Sequence, residues 1–109
     1  MSDIARLIPR LSTTERLILD LLRESELFGL QLVDRSEGAL KRGTVYVTLG
    51  RMQDKGYVES RTEPLPAGAI GLPRRWYHPT EYGMRVLNAW TMAARSFAAR
   101  TQEMRTGAA

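Results

Sequence analysis

The chain has 109 residues, 43% of them hydrophobic, with 16 Lys and Arg against 12 Asp and Glu, one His and no Cys. That length fits one domain with a modest core, and the lack of cysteine excludes a disulfide framework or a thiolate metal centre while agreeing with a reducing compartment. A formal net charge of +4 and a pI near 10.0 favour an acidic partner such as nucleic acid or an anionic surface.

Where the charge falls matters more than its total. Residues 41–78 hold seven basic side chains, Lys41, Arg42, Arg51, Lys55, Arg61, Arg74 and Arg75, against Asp54, Glu59 and Glu63, whereas residues 1–40 are net acidic. Charge alone leaves two readings open, a face for an anionic ligand and an ordinary solvated surface. No apolar run approaches the roughly 20 residues that span a bilayer, and the first eleven residues lack the apolar core of a signal peptide. The expected setting is therefore the cytoplasm, with no membrane partner.

In chain order, Ser12 followed three residues later by Glu15 is a capping-box pattern. Ile18, Leu21 and Leu22 supply the buried stripe of a first helix ending near Ser25. Leu27-Phe28-Gly29 reads as a break, and residues 30–36 read as a short second helix closing at Gly38, the size of the supporting helix in a helix-turn-helix. A third helix begins after Lys41-Arg42, with Gly43 or Thr44 near its start, where unpaired N–H groups and the helix dipole favour a phosphate. Val45, Leu49 and Met52 recur at helical spacing as its apolar face, while Thr44, Val47, Thr48 and Arg51 fall on the other side. Hydroxyls, methyl groups and arginine on a narrow helix suit a DNA major groove. Gly56 stops this helix, and Tyr57-Val58 opens an extended segment.

Residues 58–62 read as one strand, 64–73 as a Pro/Gly/Ala-rich tip and 74–78 as a second strand, together a two-stranded wing. Alternation places Arg75 opposite Trp76, so that an aromatic packs on the helices while arginine reaches a phosphate or the minor groove. The tip carries Leu65, Ile70 and Leu72, which either fold back on the body or touch a partner. From 81 to about 105 the chain reads as one long helix with Leu87, Trp90, Ala94, Phe97, Thr101 and Met104 at three-four spacing. A second chain is the simplest cover for that stripe, and packing back on its own domain is the alternative. Two recognition helices set about 34 Å apart by such a dimer would match a palindromic operator. At the other end, Arg6 and Arg10 are candidates for an arm on DNA, and Leu7, Ile8 and Leu11 for packing against the partner's long helix.

His78 is the only histidine and stands beside Pro79 in a strand-like stretch. No nucleophile–base pair, metal-ligand spacing or phosphate-binding loop accompanies it, so neither catalysis, a metal nor a cofactor is expected. The fold class that follows is mainly α with a small β-hairpin. Residues 1–79 form a winged helix-turn-helix with an N-terminal arm, and residues 80–109 form a long C-terminal dimerisation helix.

The run Gly43-Thr44-Val45-Tyr46-Val47-Thr48-Leu49-Gly50-Arg51-Met52, then Lys55-Gly56-Tyr57-Val58, then Arg74-Arg75-Trp76-Tyr77-His78-Pro79-Thr80-Glu81-Tyr82-Gly83, resembles the PadR family of winged-helix transcriptional regulators. In that family a G-T-x-Y motif opens the recognition helix, a glycine ends it before the first wing strand, and R-R-x-Y…T-x-x-G joins the second strand to a dimerising helix. Each piece is weak alone, and their order and spacing together are specific. His78-Pro79 departs from the pattern, and because Pro79 lacks a backbone donor it bears on where the second strand ends.

The resemblance, to the short subfamily with a single C-terminal helix, implies a homodimeric repressor of double-stranded DNA. Such repressors often act on genes for phenolic-acid detoxification, drug efflux or a neighbouring membrane protein, and some are released by a small aromatic ligand. It further implies that Thr44, Tyr46, Val47 and Thr48 face DNA or its backbone, that Lys41 and Arg42 flank the helix start, and that Arg74 and Arg75 serve the wing. Gly43, Arg51 and Arg61 complete the expected DNA-binding set. Tyr46, beside Val45 at the edge of the core, can pack its ring inward and offer its hydroxyl to a phosphate. In some short members a tryptophan on the C-terminal helix stacks on flat drugs between the subunits. Trp90, near Ala89, Ala93 and Ala94, has that reading and a plainer one as filler of the dimer core. A functional alternative is a winged-helix protein-interaction module that uses Leu65, Ile70, Leu72 and the C-terminal seam without specific DNA binding.

Overall fold

The structure, a computed structural model, describes residues 6–107, with side chains described as far as Ala99. Helix α1 (Thr13–Leu22) is opened by the expected capping box: Glu15 N–H donates to Ser12 Oγ at 3.1 Å and Ser12 N–H donates to Glu15 Oε1 at 2.8 Å. Its buried stripe is Ile18, Leu19 and Leu22, with Leu21 only partly covered. Strand β1 (Leu27–Phe28) leads directly into α2 (Gly29–Arg35), where Phe28 N–H donates to Gln31 Oε1 at 3.1 Å. Ser36 ends α2, donating to Val33 O and accepting from Leu40 N–H, so this buried hydroxyl is satisfied in both directions.

Helix α3 (Arg42–Asp54) buries Val45, Leu49 and Met52 completely, the stripe read from spacing. Each such side chain contributes roughly 1.5–3 kcal/mol on leaving water. The helix ends at Gly56, whose φ of 79° is the left-handed conformation that glycine adopts without a Cβ clash. Tyr57 N–H then reaches Met52 O at 2.8 Å and Gly56 N–H reaches Gln53 O at 3.0 Å, the paired bonds of a Schellman cap.

Strands β2 (Val58–Glu63) and β3 (Arg74–Pro79) form the wing hairpin, with Val58 opposite Pro79 and Glu63 opposite Arg74. The expected two-stranded wing is in fact a three-stranded antiparallel sheet in the order β1-β3-β2, because Leu27 and Phe28 pair with Tyr77 and Trp76. The supposed break after α1 is thus a strand. Pro79 does not shorten β3: β1 reaches only as far as Tyr77, so no β1 residue opposes the proline that cannot donate.

Helix α4 (Glu81–Gly107) is joined to the wing and α3 through Thr80. Thr80 N–H donates to Tyr57 O, its hydroxyl donates to Gly56 O, and the same oxygen accepts from Gly83 N–H at 2.9 Å. Gly83 lies so close to Tyr57 that a Cβ at position 83 would collide with the Tyr57 carbonyl. The first turns of α4 add Val86 and Leu87 to the core made by α1, α3 and the sheet.

Two aromatic side chains hold the N-terminal segment. Tyr57 Oη donates to Arg10 O at 2.8 Å and Trp90 Nε1 donates to Pro9 O at 2.9 Å. Ile8 and Leu11 pack on the chain's own core, whereas Leu7 is exposed. The expectation that all three cover a partner's helix is corrected for Ile8 and Leu11, because this core presents the nearer apolar surface.

Candidate nucleic-acid interface

The outward face of α3 is built by subtraction. With Val45, Leu49 and Met52 turned inward, helical spacing carries Gly43, Val47 and Arg51 to the opposite side, and all three are exposed. Thr44 and Thr48 flank this face on one side and Tyr46 on the other. Both threonine hydroxyls donate back to their own helix, Thr44 to Lys41 O and Thr48 to Thr44 O at 3.1 Å. They therefore present methyl groups and acceptor lone pairs outward, not donors. Lys41 is the extended N-cap of α3 and Arg42 its first residue, both exposed. Asp54, which sequence reasoning did not place there, shares the outward face one turn beyond Arg51.

The wing divides its charges between two faces. Tyr77, 5% exposed, is the aromatic that β3 turns toward the helices, and alternation puts Arg75 on that same face. Burial raises the Tyr77 hydroxyl's pKa, the Arg75 guanidinium opposes that shift and Tyr46 adds to it. The expected arrangement, with tryptophan on the helices, is reversed. Trp76 sits on the outer face against Phe28, with ring centroids 5.1 Å apart, and donates through Nε1 to Glu63 Oε2 at 2.9 Å. The unforeseen strand β1 supplies that aromatic neighbour and so makes the outer face the better apolar site for the indole.

Arg61 is not presented as an independent cation. Its guanidinium grips the Glu26 carboxylate, Nη2 to Oε1 at 2.7 Å, and leans over the Trp76 ring. That hydrogen-bonded pair lowers the Glu26 pKa and raises that of Arg61. His78 stands on the same outer face between two acids, with Nε2 3.1 Å from Glu59 Oε2 and Nδ1 3.6 Å from Glu26 Oε2. Arg74 lies over the Phe28 ring at 4.8 Å. The outer face thus neutralises itself. Among the described residues, Lys41, Arg42, Arg51 and Arg75 take part in no ion pair, and all four belong to α3 or to the helix-side face of the wing.

Of the residues expected on a dimer seam, Leu87 is fully buried in the chain's own core and Trp90 is half-covered beside Pro9. Beyond Thr91 the helix leaves the body: Met92 is 69% and Phe97 74% exposed, and Ala94 is exposed with them. The side chains of Thr101 and Met104 lie outside the described residues. Leu65 at the wing tip is half-buried, whereas Ile70 and Leu72 are 99% and 90% exposed. Among the described residues no cluster of His, Cys, Asp and Glu could hold a metal ion, and no helix is long and apolar enough to cross a membrane.

Comparison with known proteins places this geometry. The fold is similar to a PadR family transcription regulator from Clostridium difficile, with a TM-score of 0.65 and 23% identity over 82% of this chain and 94% of that one. It is similar to Bacillus subtilis PadR in complex with operator DNA, with a TM-score of 0.66 and 24% identity over 76% of this chain and 48% of that one. A PadR family regulator from Eggerthella lenta gives a TM-score of 0.65 and 24% identity over 82% and 78% of the two chains. No curated protein matches the chain. The family profile described as "Transcriptional regulator PadR-like family" matches residues 18–89, from the buried stripe of α1 to the third turn of α4. The chain belongs to the PadR-like family of transcriptional regulators.

Proposed function

We propose that this regulator is a homodimeric repressor that binds a palindromic double-stranded operator, with α3 in the major groove and the wing on the flanking backbone. The observation that carries the reading is the segregation of charge: Lys41, Arg42, Arg51 and Arg75 stay unpaired around the exposed α3 face, while on the outer face of the sheet Arg61 is paired with Glu26 and Arg74 lies over the Phe28 ring. Gly43, Thr44, Tyr46, Val47 and Thr48 complete the DNA-facing set, and Arg74, held over Phe28 on the outer face of the wing, stands apart from it. Arg61 acts from behind, bracing the wing through Glu26. The operator complex of the Bacillus subtilis protein, a relative in fold, supports this choice of partner.

Dimerisation rests on the exposed part of α4, where Met92, Ala94 and Phe97 present an apolar stripe for a second chain to cover. A flat aromatic effector binding near Trp90 would relieve repression by competing with the Pro9 contact of the indole. A mobility-shift titration against the DNA upstream of the protein's own gene, with excess competitor at two salt concentrations, tests the central reading. A shift that survives competitor and weakens with salt supports it, since each neutralised phosphate contributes roughly −0.9 to the log–log salt slope. For the effector, tryptophan emission in a Trp76→Phe background is followed against planar aromatic compounds, and no response from a broad panel removes it.

A second reading is favoured by one observation, the exposure of Ile70 and Leu72 at the wing tip. An interaction module using that tip would keep its activity after Arg74 and Arg75 are replaced by Glu, whereas a DNA-binding repressor would lose it.

A further inference from the structure

Tyr46 is a large side chain on the rim of the α3 face and half exposed. Two of its four helical neighbours, Gly43 and Gly50, have no side chain to pack on it, and both open onto empty space. The ring instead lies across to α2. A Cβ built on Gly29, the buried first residue of that helix, would meet Tyr46 Cε1 at 2.5 Å, Cζ at 2.6 Å and Oη at 2.7 Å. Ordinary carbon contacts are roughly 3.5–4.0 Å. The phenol therefore rests directly on the bare Cα of Gly29, and even one methyl group there would push the hydroxyl aside by about 1 Å. Gly29 is itself fixed: Phe28 before it is paired in the sheet with Trp76, and α2 begins at its own backbone.

We propose that Gly29 is a positioning residue for DNA recognition, its missing side chain forming the seat that holds the Tyr46 hydroxyl ready for a backbone phosphate. This rests on the DNA-binding reading above. A tyrosine held in one rotamer before binding loses less freedom on meeting DNA than one that is free, and the gain is roughly 2- to 10-fold in affinity per site. The obstructing atoms are the far end of a side chain with two rotatable bonds, so Gly29→Ala displaces the ring without dismantling the core.

The test is a double-mutant cycle on operator affinity, combined with phosphate ethylation interference. Gly29→Ala and Tyr46→Phe each weaken operator binding by about 2- to 10-fold and both abolish sensitivity to ethylation of the same phosphate in each half-site. With the ring removed, Gly29→Ala adds nothing: Gly29→Ala/Tyr46→Ala binds as Tyr46→Ala alone. That double variant folds even where Gly29→Ala alone melts early, because the three atoms nearest the methyl group all belong to the removed ring. The proposal is overturned if Gly29→Ala keeps wild-type affinity and footprint, if Tyr46→Phe does, or if the penalty of Gly29→Ala persists without the ring. Wild-type protein that binds no specific DNA overturns the broader reading and this one with it. Wild-type binding that is specific but indifferent to Gly29→Ala overturns this one alone.

Discussion

Lys55 Nζ lies 2.7 Å from Glu15 Oε2, tying the C-cap of α3 to the first turn of α1 across 40 positions of chain. Glu15 is buried and Lys55 nearly half exposed, so the carboxylate depends on the ammonium more than the reverse. Burial alone would raise the Glu15 pKa, but Lys55 and Ser12 outweigh it and hold the carboxyl below its ordinary 4.5. A depressed folded pKa contributes stability that is present above the unfolded value and lost as pH falls through the folded one. The thermal midpoint therefore declines as pH drops below 4.5, and Glu15→Gln flattens that decline. Lys55→Met, which leaves the buried acid without its partner, lowers stability at neutral pH by about 1–3 kcal/mol. Melting curves from pH 7 down to 3 check both, and identical acid limbs for wild type and Glu15→Gln would remove Glu15 as their source.

Gly83→Ala is expected to be among the most damaging single-methyl additions in the chain. The obstruction is the Tyr57 backbone, which cannot swing aside as a side chain can. A loss of about 1–3 kcal/mol follows from overpacking, or roughly 4–8 °C per kcal/mol in a domain this size. Thr80→Val removes the cap on Gly83 N–H and the bond to Gly56 O while keeping the volume, at about 1–2 kcal/mol. Calorimetry ranks the two.

Arg75→Ala and Arg61→Ala separate contact from support. Arg75 has no ion-pair partner among the described residues, so its loss weakens operator binding and reduces the salt slope by about 0.9 for each phosphate contact removed. Arg61 holds Glu26, so its loss loosens the wing and leaves the salt slope near that of wild type. Equal slopes for both variants would put Arg61 on the DNA after all.

Leu87→Ala and Phe97→Glu are both changes on α4 with opposite consequences. Leu87 is fully buried in the chain's own core, and its truncation costs about 2–5 kcal/mol of fold stability. Phe97 is exposed, so Phe97→Glu leaves the domain folded and shifts the species seen by light scattering from dimer to monomer. A dimer that survives Phe97→Glu would move the seam elsewhere on α4.

What sequence could show was local. Ser12 with Glu15, the Val45-Leu49-Met52 stripe and Gly56 at a helix end are patterns confined to a turn or two, and each folds as its spacing requires. What it hid depends on distant partners. Leu27–Phe28 is too short to show a period, and becomes a strand only because Trp76 and Tyr77 arrive some fifty residues later. That strand then decides which wing aromatic faces the core. Arg61 counted as a free base until Glu26, 35 positions away, was brought beside it. Gly29 looked like punctuation, since nothing in its neighbourhood of sequence names the tyrosine that rests on it. Leu87 and Phe97 share one periodic stripe, and only the point at which α4 departs from the body tells core from seam.

The joint at Thr80 has one more consequence. Where α4 meets the end of α3, main chain rests against main chain: Gly83 on the Tyr57 carbonyl, with Thr80 bonded to both sides. No rotamer lies between the two helices to soak up a displacement. A displacement of α4 at this joint meets backbone and not a side chain that can turn aside. In a dimer, the distance between the two reading helices is then set by the angle at which the long helices cross.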